Sequence, residues 1–563
     1  MPWSTVLSTA GILLGTFLGY ILTVSYNHRR RINGLRKRGV PMPEGWSWIT
    51  GHLLVLQKYL DRMPPNAALT SATREMCGEL FPDTEMCLID LWPFYPPHFI
   101  VFNPEAISQV CNKDNLPKLA FMSRLMRQVT GGPDLLSMDG DEWKHCRSLF
   151  NPGFSTGAMS NNVPHIVDSI LVFRQKLIGM IGQGMFPLDE YTTRLTAEII
   201  LKVSLGDDSN YQRSPNPLIT ALRRILEWHS FWDPRILLHP LRPMVQAYHG
   251  YLINTYIRKL LDRQYLEVKH TELAKGQDED PKSIKSVTTL ALETYLRDTN
   301  PAPQKDSLDE GFAHMLASQI RLFLFAGTDS TSTVLVYLYH ILAKHPDALA
   351  RLRKEHDEVF GPDPGDAADL LKERPSLLNS CKFTLAFIKE TLRLYSPAGT
   401  MRAGLPGGTI TDLRGHAHPL DGLGIHVLHQ ALHVNPRVWP RPYEFLPERF
   451  LVGPGHELYP SPAAYRPFEQ GPKNCLGLTL VHNELRIALI LTCRDLTITD
   501  AYDELDAKTD NAVGPLAKLK RQLFGAANKP RTVCGERAYQ TDAPGGHPID
   551  GYPCRVEWAA AEL

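Results

Sequence analysis

The stretch Phe468-Glu-Gln-Gly471-Pro-Lys473-Asn-Cys475-Leu-Gly477 carries the strongest signal in this chain of 563 residues. A single cysteine lies between two glycines, behind an aromatic residue and a base. Gly471 allows a tight turn that few other residues tolerate, and Gly477 leaves room for a flat ligand beside the backbone. Most free cysteines are ordinary buried residues, but this setting suits a thiolate that is offered to a metal centre.

The sequence after this loop predicts a helix. Residues Leu478 to Leu491 are rich in helix formers, so Cys475 is expected just before a helix N-terminus. There the helix dipole and the free backbone N–H groups stabilise a negative sulfur and lower the pKa of the thiol.

The loop resembles the haem-binding loop of the cytochrome P-450 family, whose usual form is Phe-x-x-Gly-x-Arg-x-Cys-x-Gly. Phe468, Gly471, Cys475 and Gly477 match this form. Lys473 stands where the family has arginine, which keeps the positive charge but loses the bidentate fork. The resemblance implies that Cys475 is the axial thiolate ligand of the iron of haem b.

A second segment, Ala326-Gly-Thr-Asp-Ser-Thr331, is polar at the centre of a long apolar helix pattern. The predicted helix begins at a capping box, Ser307-Leu-Asp-Glu310, and ends before His345-Pro346. Gly327 is expected to weaken the helix and to open it locally, so that a substrate or O₂ approaches the backbone.

This segment resembles the oxygen-binding stretch of the same family, Ala/Gly-Gly-x-Asp/Glu-Thr, at Ala326, Gly327, Asp329 and Ser330. The resemblance implies that Asp329 supplies protons and that the hydroxyl of Ser330 steadies the oxygen. Serine replaces the usual threonine and lacks the β-branch, so its position is looser. Taken without the resemblance, Asp329 and Ser330 are ordinary caps of a broken helix.

Glu390 and Arg393 are three residues apart on a predicted helix, so they lie on one face. Spacing alone favours a solvated surface ion pair. The two residues match the Glu-x-x-Arg motif of the family, and Arg449 belongs to a matching Pro-Glu-Arg-Phe motif. The resemblance implies a buried structural triad behind the cysteine loop, in which two arginines satisfy one carboxylate.

Further matches concern the haem propionates. Trp143 and Arg147 fit the Trp-x-x-x-Arg motif of the family on one helix face, although simple packing explains each of them taken singly. Arg402 stands where the family places another propionate partner. With Lys473, these residues supply three cations and one indole N–H for two carboxylates.

Charge and cysteine content narrow the functional class. The 60 basic and 60 acidic residues balance, so no global field favours nucleic acid as a partner. The nine cysteines are odd in number and form no C-x-x-C pair, which argues against a disulfide framework or a zinc site and for a reducing compartment.

The N-terminal sequence predicts a membrane anchor. Val6 to Tyr26 contains no charged residue and is long enough to span a bilayer, and a run of arginines and a lysine follows it. A cleaved signal peptide is the alternative, but its charges precede the apolar stretch. We expect an anchor at 1–28, a basic and proline-rich hinge at 29–45, and a haem-thiolate catalytic domain at 46–563, facing the cytosol from the endoplasmic reticulum membrane.

The expected fold is mainly α with small β-sheets, in a single large domain after the N-terminal helix. Helical patterns dominate from Thr70 to Arg393. Short extended runs predict strands at Met86–Leu91, His98–Phe102, Gly424–Leu428 and Tyr552–Trp558. By resemblance to the family, hydrophobic segments line a substrate cavity: 119–130, 228–232, 325–326, 398–400 and a turn near Val513.

Together these resemblances imply a monooxygenase that inserts one oxygen atom of O₂ into a hydrophobic substrate by hydroxylation, epoxidation or oxidative rearrangement. The haem loop and the C-terminal tail resemble fungal members that act on polyketides or terpenoids. The sequence has no dinucleotide or flavin fingerprint, so electrons are expected from NADPH through a separate flavoprotein reductase, with the enzyme itself a monomer. The alternatives are a xenobiotic or fatty-acid hydroxylase, a reductase-independent isomerase or dehydratase, and a haem-based sensor or electron carrier.

Overall fold

The computed structural model describes residues 3–230, 233–273, 284–298, 306–512 and 531–559. In these residues the chain is mainly helical and carries three small sheets. The predicted fold class is therefore confirmed for the globular part of the chain.

The helices follow one another through most of the chain. Helices α1 to α10 are Trp3–Lys37, Leu53–Leu60, Leu69–Leu80, Pro104–Ser108, Ala120–Thr130, Gly140–Phe150, Thr156–Asn161, Val163–Met180, Leu188–Leu205 and Pro217–Glu227. Helices α11 to α20 are Pro234–Leu237, Arg242–Leu273, Val287–Asp298, Glu310–Lys344, Pro346–Phe360, Asp366–Glu373, Lys382–Leu394, His429–Leu432, Leu478–Thr492 and Tyr502–Ala512. Short 3₁₀ turns lie at Pro375–Ser380, Pro447–Phe450, Pro544–Gly546 and Ile549–Gly551, and a π turn lies at Gln109–Lys113.

The strands form sheets of four, three and two strands. Strands β1 to β9 are Met86–Ile89, His98–Val101, Phe186–Pro187, Thr400–Ala403, Thr409–Thr411, Ala417–Pro419, Gly424–Val427, Leu496–Asp500 and Pro553–Trp558. The orders are β1-β2-β7-β4, β3-β9-β8 and β5-β6, with β2 and β7 parallel and the other pairs antiparallel. The four predicted extended runs correspond to β1, β2, β7 and β9.

Two buried apolar clusters hold the fold together. The larger cluster joins the helices around α14, including α8, α9 and α19. The smaller cluster packs the four-stranded sheet against α2, α3 and the last turns of α1. Burial of large apolar side chains is the main favourable term in folding, at roughly 25 cal/mol per Å² of apolar surface.

Helix α14 begins later than the capping box predicts. The N-cap is Asp309, whose side chain accepts a hydrogen bond of 2.9 Å from the backbone N–H of Phe312, and Glu310 is the first helical residue. The predicted capping box at Ser307 is therefore wrong. Asp and Ser are about equally good N-caps, so the local sequence alone does not choose between them.

The centre of α14 is continuous, so the predicted opening at Gly327 is wrong as well. A Cβ atom at Gly327 would lie 2.8 Å from a side-chain carbon of Ile200 in α9. The hydroxyl of Thr196 in α9 also donates a hydrogen bond of 3.0 Å to the carbonyl of Thr328. Glycine is required here because the two helices approach closely.

The N-terminal helix joins the globular domain through a buried ion pair. Arg29 of α1 donates to the carboxylate of Asp90, which also accepts a 3.0 Å hydrogen bond from the indole of Trp46. Residues 29–37 of the predicted hinge are thus the last turns of α1. Among the helices whose side chains the structure describes, none is long and apolar enough to cross a membrane.

The cap of α14 can be tested with a matched pair of substitutions. Asp309→Ala is expected to lower the free energy of unfolding by about 1 kcal/mol because an N–H of the first turn loses its acceptor. Ser307→Ala is expected to have no measurable effect. Urea unfolding, together with hydrogen exchange at Phe312, measures both changes, and equal effects of the two variants would contradict the assignment of Asp309 as the cap.

Candidate active site

The loop around Cys475 is a tight turn that leads into α19. The backbone N–H of Cys475 donates a hydrogen bond of 2.9 Å to the carbonyl of Phe468. Gly471 has a φ of 80°, and a Cβ atom there would lie 3.2 Å from the carbonyl oxygen of Cys111. Gly477 is the N-cap of α19, so Cys475 lies just before the helix. These contacts fix the direction in which the sulfur points.

The thiol of Cys475 is accessible, yet protein surrounds it. Burial raises the pKa of the thiol, and the N–H of Gly477 and the guanidinium of Arg147 offset only part of this rise. The prediction that this pKa is lowered is therefore wrong. The loss of hydration raises the pKa by more than the N–H groups at the start of α19 lower it. An accessible but desolvated sulfur suits coordination to a metal, which deprotonates a coordinating thiol outright.

Space for a flat group lies directly beside the sulfur. A Cβ atom at Gly477 would meet only the sulfur of Cys475, at 4.0 Å, among the described residues. The peptide at this position is thus open on the side of the thiol. Residue types and geometry here fit a planar ligand whose metal is held by the sulfur.

A group of cations surrounds Arg402 of strand β4. The side chain of Arg402 is fully buried, and none of its three guanidinium nitrogens has a hydrogen-bond partner among the described residues. Lys118 pairs with Arg402 through the backbone. Burial, together with the charges of Arg402 and Lys473, lowers the pKa of Lys118 to about 7. A buried guanidinium without a hydrogen-bond partner is unfavourable, so Arg402 fits an anionic ligand such as a carboxylate.

Trp143, Arg147 and Lys473 lie together at the same loop. The guanidinium of Arg147 donates hydrogen bonds of 2.9 and 3.0 Å to the carbonyl and the side chain of Asn474. The ammonium of Lys473 lies 5.7 Å from the ring centre of Trp143 and forms an ion pair with Asp139. Helix α6 is therefore tied to the cysteine loop by these side chains.

Glu390, Arg393 and Arg449 form one fully buried ionic cluster. Arg393 donates two hydrogen bonds of 2.8 and 2.7 Å to the two carboxylate oxygens of Glu390. Arg449 donates a third hydrogen bond, of 3.2 Å, and the backbone N–H of Leu446 a fourth, of 3.0 Å. The carboxylate thus has four donors, which offsets the loss of its hydration.

The same arginines hold the chain that leads to the cysteine loop. Arg393 donates to the carbonyls of His433 and Pro442 at 2.7 and 2.6 Å, and Arg449 donates to the carbonyl of Arg441 at 2.7 Å. The indole of Trp439 lies under both guanidinium groups. The residues between α18 and the loop are thereby fixed to α17.

A second ionic cluster, absent from the sequence-based predictions, joins Glu469 of the loop to two residues outside it. Glu469 has a φ of 55° and contacts Arg466 and the imidazole of His429. Burial alone would raise the pKa of Glu469, but His429 and Arg466 outweigh it and lower the pKa to about 2. A glutamate next to the motif phenylalanine is a weak signal, because Arg466 at i−3 is an ordinary local pair and His429 is 40 residues away.

The central turn of α14 carries Ala326, Gly327, Asp329 and Ser330. The hydroxyl of Ser330 donates a hydrogen bond of 2.8 Å to the carbonyl of Ala326. Asp329 lies 3.9 Å from the imidazole of His547, which comes from the C-terminal tail. In the predicted substrate cavity, Phe231, Trp232 and Val513 lie outside the described residues.

Comparison with known proteins agrees with this geometry. The family model described as Cytochrome P-450 matches residues 41–514. The chain is 37% identical to the cytochrome P-450 monooxygenase polC of Polytolypa hystricis over 98% of this chain and 94% of that protein. It is 29% identical to the cytochrome P-450 monooxygenase acrF of Aspergillus aculeatus over 87% of this chain and 97% of that protein.

A solved structure has the same fold. The haem domain of cytochrome P450DA superimposes with a TM-score of 0.65 at 17% sequence identity, over 92% of this chain and 97% of that one. On the family match and the similarity to polC, this chain belongs to the cytochrome P-450 family of haem-thiolate monooxygenases.

Proposed function

We propose that this protein binds haem b through Cys475 and inserts one oxygen atom of O₂ into a hydrophobic substrate of a fungal secondary-metabolite pathway. One observation carries the proposal: an accessible, desolvated thiol lies beside the open face of Gly477. The fungal monooxygenases polC and acrF support the assignment to fungal metabolism, and a polyketide or terpenoid is the substrate class that we propose.

Haem iron, when bound, supplies the chemistry that activates O₂, so that one atom enters the substrate and the other leaves as water. Cys475 holds the metal with its thiolate sulfur. Arg402, Lys118 and Lys473 bind the two propionates, together with Trp143 and Arg147 of α6. Support comes from the unpartnered guanidinium of Arg402, since buried charges in proteins are normally paired.

Protons reach the oxygen through the central turn of α14. Asp329 is the proton donor, and it lies near the surface with 14% of its side chain exposed. The hydroxyl of Ser330 donates its own proton to Ala326, which leaves its oxygen free to accept a hydrogen bond. Asp329 would therefore deliver protons at this turn, and the Ser330 oxygen would be available to accept a hydrogen bond beside it.

The two electrons of each turnover come from NADPH through a separate flavoprotein reductase. We place its docking face on the side of the Cys475 loop, where basic side chains attract an acidic partner. Consumption of NADPH with a purified reductase distinguishes this activity from that of an isomerase or dehydratase, which needs no external electrons.

The N-terminal helix anchors the protein, as a monomer, in the endoplasmic reticulum membrane, with the catalytic domain on the cytosolic side. Support comes from exposed apolar side chains on α1, such as Ile12 at 69% and Leu22 at 68% exposure. A second exposed apolar group lies around α11 and α12 and consists of Leu238, Leu241, Met244, Tyr248 and Tyr251. Exposed apolar patches of this kind mark surfaces that contact lipid or protein.

The metal ligand can be tested by spectroscopy. Cys475→Ala is expected to abolish the thiolate-type absorption of the reduced carbon monoxide complex, because no sulfur then holds the iron. Cys534→Ala is the matched control, since Cys534 is also exposed and free, and it should keep the full spectrum. Persistence of the thiolate spectrum in Cys475→Ala would refute the proposed ligand.

The cation site can be tested by the rate of haem loss. Arg402→Met is expected to speed the transfer of haem to apomyoglobin by about 10- to 100-fold, since a charge-assisted hydrogen bond contributes about 1.5–3 kcal/mol. Arg402→Lys keeps the charge and should show a smaller change. An unchanged transfer rate in Arg402→Met would show that Arg402 does not bind a propionate.

The buried triad can be tested by stability. Glu390→Gln leaves two buried arginines without a counter-ion, so the haem-loaded protein should lose about 3–5 kcal/mol of stability. The exposed pair Arg224 and Glu227 has the same spacing. Glu227→Gln is therefore the control and should change stability by less than about 1 kcal/mol. Thermal loss of the thiolate spectrum measures both variants, and equal effects would rule out a structural role for the triad.

A further inference from the structure

The C-terminal tail packs directly on the acidic residue of α14. The turn Pro544–Gly546 lies against the backbone of Asp329, and a Cβ atom at Gly545 would be only 2.9 Å from the Asp329 carbonyl oxygen. Gly545 also has a φ of 79°, which favours glycine. This close approach brings the next residues of the tail beside the Asp329 side chain.

His547 lies between two carboxylates. Its Nδ1 is 2.7 Å from Oδ1 of Asp189, and its Nε2 is 3.9 Å from Oδ1 of Asp329. The exposed fractions of the Asp189, His547 and Asp329 side chains are 20%, 15% and 14%. The three side chains form a partly shielded row.

Three separate segments hold this row in place. Asp189 belongs to the first turn of α9, which packs along α14 through the contact of Thr196 with Thr328. Thr541 fixes His547 by two hydrogen bonds to its carbonyl, of 3.0 Å from the backbone N–H and 2.8 Å from the hydroxyl. The row is therefore a product of the tertiary fold.

The charge of His547 follows from these neighbours. Burial opposes a positive imidazole, but the carboxylates of Asp189 and Asp329 outweigh it and raise the pKa of His547 to about 10. They are the charged groups that face the ring from α9 and α14. At neutral pH the ring is an imidazolium, with one N–H directed to each carboxylate.

We propose that His547, held by Asp189, is a positioning residue that orients the carboxyl group of Asp329 for proton delivery. This inference rests on the proposed function of Asp329 as the proton donor. The Nδ1–Asp189 contact is a direct hydrogen bond, whereas the Nε2–Asp329 separation exceeds hydrogen-bond length. Charge attraction thus holds the Asp329 carboxylate near one position between proton transfers, without a direct hydrogen bond to Nε2.

His547 has the same protonation state before and after each turnover. In each turnover Asp329 would donate two protons, one after the other, and after each transfer the carboxylate would take up a new proton from the bulk solvent. His547 begins and ends as the imidazolium. Its contribution is the position of the carboxyl group, so losing it should slow protonation of the oxygen without weakening substrate binding.

Product formation separates positioning from folding. His547→Gln removes the charge and is expected to lower product per haem about tenfold, less than the roughly 10²-fold or larger loss expected for Asp329→Asn. The solvent isotope effect and the share of NADPH electrons released as hydrogen peroxide should both rise, while KM stays unchanged. Asp189→Asn should act in the same direction. His547→Lys keeps the charge and should restore part of the coupling, which is the share of NADPH electrons that ends in product.

His416→Gln is the matched control. His416 is also near an aspartate, Asp412 at 3.7 Å, but it lies beside the β5-β6 hairpin and is 71% exposed. It should leave coupling and the isotope effect as in the wild type.

Thermal unfolding of the haem-loaded protein gives a readout that does not depend on activity. A pKa raised from its ordinary value of 6.5 to about 10 stabilises the fold fully below pH 6.5, and this stabilisation disappears as pH rises through about 10. The midpoint of His547→Gln should therefore lie below that of the wild type at pH 6.5, and the difference should shrink toward pH 10.

Each outcome decides one question. Wild-type coupling and isotope effect in His547→Gln, with the thiolate spectrum intact, would overturn the positioning role. Wild-type coupling in Asp329→Asn would instead overturn the proposed proton donor. If His547→Gln loses the thiolate spectrum through misfolding, Asp189→Asn and His547→Lys decide: altered coupling supports the inference, and wild-type coupling in both overturns it.

Discussion

The carboxylate of Glu390 is fully buried, and its hydrogen bonds to Arg393 and Arg449 satisfy it there. The same arginines bind backbone carbonyls along the segment that leads to the cysteine loop. From His433 the contacts continue to the backbone N–H of Arg466, at 3.1 Å. An ion pair removed from water thus becomes a rigid support, because the Glu390 carboxylate gains four hydrogen-bond donors in place of its hydration.

This rigidity matters for a sulfur that must face a desolvated space. Burial raises the pKa of the Cys475 thiol, so the free thiol gains nothing by ionising until a metal takes the place of its proton. Arg402 has the complementary property, a buried charge without a protein partner among the described residues. A thiolate at Cys475 and an unpaired guanidinium at Arg402 are both unfavourable when buried. One ligand that carries a metal and an anionic group would stabilise both.

The predictions made for Ser307 and Gly327 fail for physical reasons. Ser307 and Asp309 have about the same propensity to cap a helix. The helix α14 starts at Glu310, so Asp309 is the residue in the N-cap position. Gly327 has the sequence signature of a weak helix, but its missing side chain instead admits Ile200 of α9. A residue that suits two structural roles takes the one that its tertiary contacts select. A local sequence pattern does not contain those contacts.

The sequence by itself determined the elements whose signals are local: the predominance of helices, four of the short strands, the cysteine turn before α19, and the motifs that resemble one enzyme family. The tertiary structure alone decided which distant residues meet. Lys118 lies beside Arg402, and His547 lies between Asp189 and Asp329. No periodicity or spacing encodes such pairs, because they form only when packing of the two buried clusters brings separate segments together and desolvates their charges.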